Sequence, residues 1–148
     1  MSIPFGVLIP FVDNLGFTLE KFENGTSELH FRPRAEHLNS FEITHGGAVM
    51  TLLDVVMATA ARSVEQDMGV VTIEMKTSFM RPAVGPLIAK GELMHHTVTM
   101  AFTQATVYDA HGHKCAHATG TFKFMKRLPT GHKTTNPLNV PPNSIRTD

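Results

Sequence analysis

The chain is poor in the features that announce many protein classes. It has one cysteine, Cys115, so no disulfide framework can form within it, and a reducing, cytoplasmic compartment is the simpler expectation. It has no charge excess: thirteen basic and thirteen acidic residues cancel. Nucleic acid is thereby disfavoured as a partner, because phosphate binding shows as a basic surplus. No apolar run is long enough to span a bilayer. The apolar start MSIPFGVLIPFVDNLG lacks a basic leader, is interrupted by Pro4 and Pro10 and closes at Asp13, so it reads as a packed element and not as a signal peptide. There is no nucleophile elbow, P-loop, dinucleotide fingerprint or internal repeat.

What is present suits a single domain. The chain has 148 residues, 42% of them hydrophobic, enough for a core without staples. Pro4 to Asn14 reads as a short helix with Gly16 just past it. Phe17–Glu23 and Thr26–Arg32 flank Asn24-Gly25, a strong hairpin signal. The run from Gly46 to Arg62 is long, free of proline and apolar on almost every side, which predicts a buried helix. Val70–Met80, Leu87–His95, Thr97–Tyr108 and Cys115–Met125 read as strands, with a turn at Asp109–Lys114. Mostly consecutive strands and one long apolar helix predict an α+β fold, a curved antiparallel sheet wrapped around that helix. Residues 1–127 are expected to form the domain and 128–148 a proline-rich tail.

Asp54 is the most informative residue. It stands among Leu52, Leu53, Val55, Val56 and Met57. A buried carboxylate costs on the order of several kcal/mol unless paired or solvated. Two readings are open: a polar window or loop cap, or a reacting group. Before it, His45-Gly46-Gly47 marks the helix start, where orphan N–H groups and the dipole favour an oxyanion and glycines allow close approach.

Asn39, His45-Gly46-Gly47 and Asp54, in the frame NSFEITHGGAVMTLLD, resemble the hotdog-fold thioesterases of the phenylacetate-degradation (PaaI-like) family. The asparagine lies six residues before the histidine and the acid nine after it, as in that family. The run VVTIEMKTSFMRPAVG is similar to the family's strand after the helix, and Thr72 stands where some members carry a hydroxyl that orients water. The resemblance implies acyl-CoA thioester hydrolysis with Asp54 as general base or nucleophile. Gly46 N–H would serve as oxyanion donor, and Asn39, His45 and Thr72 as positioning groups. It also implies a homodimer or homotetramer whose interfacial sites face Asp54 of one subunit with Asn39, His45 and Gly46 of the other. No metal or cofactor is needed beyond the CoA of the substrate. Gly47, Met50, Met57 and Arg81 are candidates for substrate binding, Arg81 toward a CoA phosphate.

Other groupings rank lower. His111, His113, Cys115 and His117 have a metal-like spacing, but Gly112 predicts a turn that breaks their alignment. His95 and His96 point to opposite strand faces, and Cys115 reads as an inert strand residue. Alternatives are a hydratase or dehydratase of the same fold, or a non-catalytic acyl-CoA-binding module.

Overall fold

The computed structural model describes residues 2–126. The elements are helix α1 (Pro10–Leu15), strands β1 (Thr18–Glu23) and β2 (Thr26–Phe31), helix α2 (Gly46–Arg62), then β3 (Gly69–Phe79), β4 (Leu87–His96), β5 (Met100–Tyr108) and β6 (Lys114–Met125). The expected tail, 128–148, lies outside the described residues.

The six strands form one sheet in the order β1-β2-β4-β5-β6-β3, antiparallel throughout. The β1–β2 turn is Asn24-Gly25, both with positive φ (49° and 80°), the geometry whose twist matches the flanking strands. The chain crosses from β2 through α2 to the far edge, lays down β3, and returns to place β4 beside β2. This crossing leaves α2 against the inner face of the sheet.

On α2, one stripe carries Val49, Leu52, Leu53, Val56, Met57, Ala60 and Ala61, all buried. It packs on Leu29, Phe31, Leu87, Ala89, Val107 and Phe122. Each large side chain buried there contributes about 1.5–3 kcal/mol. The helix is not enclosed all round, as its composition suggested. Met50 is exposed and Thr51, Asp54, Val55 and Ala58 are half-buried, so a second stripe remains open.

The first helix is also shorter than its apolar texture implied. Ile3 bridges Leu19, so the chain start runs extended along β1, and Gly6 takes a φ of 82°. Helix begins only where Pro10 fits the first turn, and it ends on left-handed Gly16. This segment covers the β1 edge. The opposite edge, β3, has no partner strand on its outer side among the described residues. Likewise β5 starts at Met100, not Thr97, because the Thr97 hydroxyl accepts from Thr99 and Met100 N–H and folds a turn.

Candidate active site

The loop before α2 is shaped by Asn39. Its Oδ1 accepts from the N–H groups of Phe41 (2.8 Å) and Ile43 (3.3 Å), so the side-chain oxygen is used in folding its own loop. The Nδ2 donors are left for other work. His45 is the N-cap of α2: its Nδ1 accepts from Gly47 N–H at 2.8 Å. A neutral imidazole that accepts at Nδ1 carries its proton on Nε2, so His45 turns an N–H donor outward from an exposed ring. The His45 N–H in turn donates to the His37 carbonyl at 2.8 Å, anchoring the cap.

This capping separates the two glycines. Gly47 N–H is committed to His45 and does not face a ligand as expected. Gly46 N–H makes no hydrogen bond among the described residues, and it sits at the positive end of a 17-residue helix. A Cβ on Gly46 would lie 3.5 Å from the Phe79 ring, in ordinary van der Waals contact, so that ring stands beside the helix start. Beside it lies a cavity of about 380 Å³, also bounded by Asn39, Val49, Phe79, Arg81 and Ala116.

Asp54 lies elsewhere. It is eight residues beyond Gly46 on the same helix, about 12 Å along the axis, and it does not line that cavity. Its Oδ1 accepts from Thr72 Oγ1 at 2.7 Å, a contact between the open stripe of α2 and the edge strand β3. Thr72 was expected to hold a water; it holds the carboxylate itself. Desolvation raises the Asp54 pKa above the ordinary range, and the Thr72 hydrogen bond opposes that rise. Oδ2 has no partner among the described residues.

Within one chain these residues fall into two separate groups. Asn39, Gly46 and Arg81 border the cavity, and Asp54 with Thr72 waits at the β3 edge. Arg81 is at the cavity rim, exposed, and Met50 is exposed on the open stripe of α2. Met57 does not border this cavity: it is fully buried, packed where a Cβ on Gly120 would meet its Cε at 3.0 Å. Met57 is covered by the sheet at its turn of α2, a tertiary contact that composition does not reveal.

The sequence reading missed the cavity's apolar lining, including Ile43, Met80, Ala83 and Cys115. Phe79 carried a usable signal, an aromatic at the end of the strand that leaves the helix. Cys115 is buried, with Sγ near the carbonyls of Pro82 and His113, and desolvation raises its pKa. In the histidine-rich turn, Asp109 accepts from the N–H groups of His111 and His113 and from the His113 ring. Among the described residues no three metal-ligating side chains converge. No helix among them is long and apolar enough to cross a membrane.

Comparison with known proteins matches residues 41–116 to the Thioesterase superfamily, a span from the Asn39 loop to the start of β6. The chain is 28% identical over 109 residues to "Putative esterase SSO1253" of Saccharolobus solfataricus, 73% of either chain. Its fold is similar to the conserved protein PA5202 of Pseudomonas aeruginosa, with TM-score 0.77, 24% identity and coverage of 81% of this chain and 97% of that one. It is likewise similar to the PaaI protein of the Escherichia coli phenylacetic acid degradation operon, with TM-score 0.73, 20% identity and coverage of 82% and 86%. The antiparallel sheet around one helix is the hotdog fold, and the chain belongs to the Thioesterase superfamily as a thioester hydrolase.

Proposed function

We propose that the protein hydrolyses the thioester of aryl- or short- to medium-chain acyl-CoA to a free acid and CoA, in a homodimer or a pair of such dimers with sites at the interface. The observation that carries this reading is the separation of Asp54 from Gly46 N–H on one helix, about 12 Å, with Asp54 beside a strand edge that has no partner among the described residues. A base and an oxyanion donor acting on one carbonyl must lie within a few ångströms of it, so each needs its counterpart from a second copy.

The β3 edge supports this arrangement. It is 11 residues long, and Val71 and Ile73 expose large apolar surface on it. A free edge of this length invites another strand. The inner-face residues of β3 are Thr72, Met75, Thr77 and Phe79, which pair with Phe122, Gly120, Ala118 and Ala116 of β6. Antiparallel pairing of two β3 strands about Met75, with Ile73 passed over as it is in the pairing with β6, keeps inner faces together and sets Thr72 opposite the partner subunit's Thr77. That is two residues from Phe79, whose ring stands beside Gly46, 3.5 Å from where a Cβ there would lie. Asp54 of one subunit then approaches the cavity of the other.

In this reading the acyl oxygen lies against Gly46 N–H, and Asn39 Nδ2 and His45 Nε2 orient the thioester. Asp54 takes a proton from water as the water oxygen bonds to the carbonyl carbon. Charge builds on the acyl oxygen, where a donor of this kind is worth about 2.7–4 kcal/mol of barrier. The C–S bond then breaks, and the proton held by Asp54 passes to the departing CoA sulfur. Direct attack by Asp54, giving a mixed anhydride that water opens, uses the same groups. The raised pKa makes Asp54 a stronger base than an exposed carboxylate. Arg81 at the rim suits a CoA phosphate. No metal or cofactor takes part, and the single buried cysteine fits a cytoplasmic setting.

The test is free-thiol release across a panel of aryl-, short- and medium-chain acyl-CoA esters. Release from at least one class is expected. Tight binding without release would point to a binding module, and conversion of an enoyl ester without thiol release to a hydratase.

A further inference from the structure

We propose that Ala83, Cys115 and Ala116 form the blind end of the acyl pocket and set the longest acyl group the site accepts; this rests on the thioesterase reading above. The cavity beside Gly46 has a clear polarity of depth. Phe79 and Met80 on its border are 54% and 55% exposed, whereas Ala83, Cys115 and Ala116 are 6%, 1% and 1% exposed. An acyl chain whose carbonyl sits at Gly46 N–H runs from the first pair toward the second.

The blind end is built by a β-bulge. Along β6 the alternation of buried and exposed residues fails at one place, where Cys115 and Ala116 are both buried. The β5–β6 register shifts at the same point: Val107 pairs with Ala116 and Tyr108 with Lys114, leaving Cys115 as the extra residue. A bulge re-aims a side chain, and here it turns Cys115 inward. The Cys115 carbonyl accepts from both Met80 N–H (2.8 Å) and Arg81 N–H (3.1 Å), so the rim is tied directly to the bulge. The Ala83 carbonyl accepts from Thr44 N–H at 3.0 Å, which ties the other wall to the loop before α2. All three residues at this end are small, and none of these backbone bonds depends on their side chains. Pocket depth is therefore adjustable by side-chain size alone.

The volume sets the class. About 380 Å³ is roughly two and a half times the ~150 Å³ that encloses one benzene ring, enough for a ring or a medium-length chain.

The experiment compares wild type with Ala83→Leu, which shortens the pocket, and Cys115→Ala, which deepens it. Two quantities are measured for each: the kcat/KM ratio for decanoyl-CoA over butanoyl-CoA, and the Kd ratio for the non-hydrolysable S-decyl and S-butyl thioethers of CoA. Ala83→Leu is expected to lower preference for the longer group about tenfold or more, and Cys115→Ala to raise it several-fold. Ratios within about twofold of wild type in both folded variants would overturn the proposal. If Ala83→Leu does not fold, Cys115→Ala decides alone. Shifted thioether binding with no thiol release from either ester would keep the pocket and remove the thioesterase reading.

Discussion

Gly91 of β4 lies directly against the Val56 carbonyl of α2: a Cβ at position 91 would stand 2.5 Å from that oxygen. The helix therefore rests on bare backbone, and Ser27 Oγ–H donates to the same carbonyl at 2.6 Å. Gly91→Ala should force the helix off the sheet and destabilise the protein by about 1–3 kcal/mol or more. Gly120→Ala meets the flexible end of Met57 at 3.0 Å and should cost less. Urea unfolding of both variants checks the order, and equal losses would contradict the backbone collision.

Asp54→Asn removes the proposed base while keeping shape. We expect kcat to fall by at least about 100-fold, as for loss of general base catalysis. Stability should move the other way. Desolvation raises the native pKa of Asp54 above its ordinary value of 3.8, so the folded chain binds this proton more tightly than the unfolded chain. Its contribution is most favourable below 3.8, declines as pH rises through the window up to the native pKa, and stays unfavourable above it. At neutral pH Asp54→Asn should thus melt no lower than wild type, and higher if desolvation dominates. A variant that melts well below wild type would mean that the carboxylate makes a structural contact.

Thr72→Val deletes the hydroxyl that stabilises the charged carboxylate. The acid limb of the kcat/KM profile should move to higher pH, because only the Thr72 bond opposes desolvation. An unmoved limb would show that Asp54 does not govern it.

Subunit mixing tests the proposal that Asp54 of one chain and Asn39 of another share a site. Asn39→Asp keeps the Oδ1 acceptor that folds its loop and removes the Nδ2 donor. Each of Asp54→Asn and Asn39→Asp should be weak alone. Co-refolded in equal amounts, half of the dimers are mixed and carry one intact site, so activity should recover to about a quarter of wild type. No recovery would place both residues in a site within one chain.

Local signals carried far in this sequence. The Asn24-Gly25 turn, the limits of α2 at Gly46 and Arg62, and the strand after it are all where short-range chemistry indicates. These depend on φ restrictions, helix propensity and capping, which act within a few residues. Asp54 was singled out for being a charge in an apolar helix, and the structure finds it half-buried with a hydroxyl partner 18 residues away. Other expectations failed for identifiable reasons. The N-terminal helix stops short because Ile3 gains a bridge to Leu19 that local propensity cannot report. Met57 and Met50 stand seven residues apart, on nearly the same side of α2, yet one is core and the other exposed, because the burial of each depends on what packs over its own turn of the helix. The cavity wall at Cys115 depends on a register shift between two strands and has no sequence marker.

Taken alone, the residues determine which segments become helix or strand, and that a carboxylate and a glycine-rich helix start share one element eight residues apart. Both follow from short-range sterics and hydrogen bonding. Only the tertiary structure decides that Gly46 opens onto a cavity, that Gly47 is spent on the His45 cap, and that Asp54 stands away from that cavity beside a strand with no outer partner among the described residues. Those outcomes depend on how α2 is rotated against the sheet and on which edge the crossing leaves unpaired. Such long-range packing balances many weak contacts at once, and no single stretch of the chain encodes it.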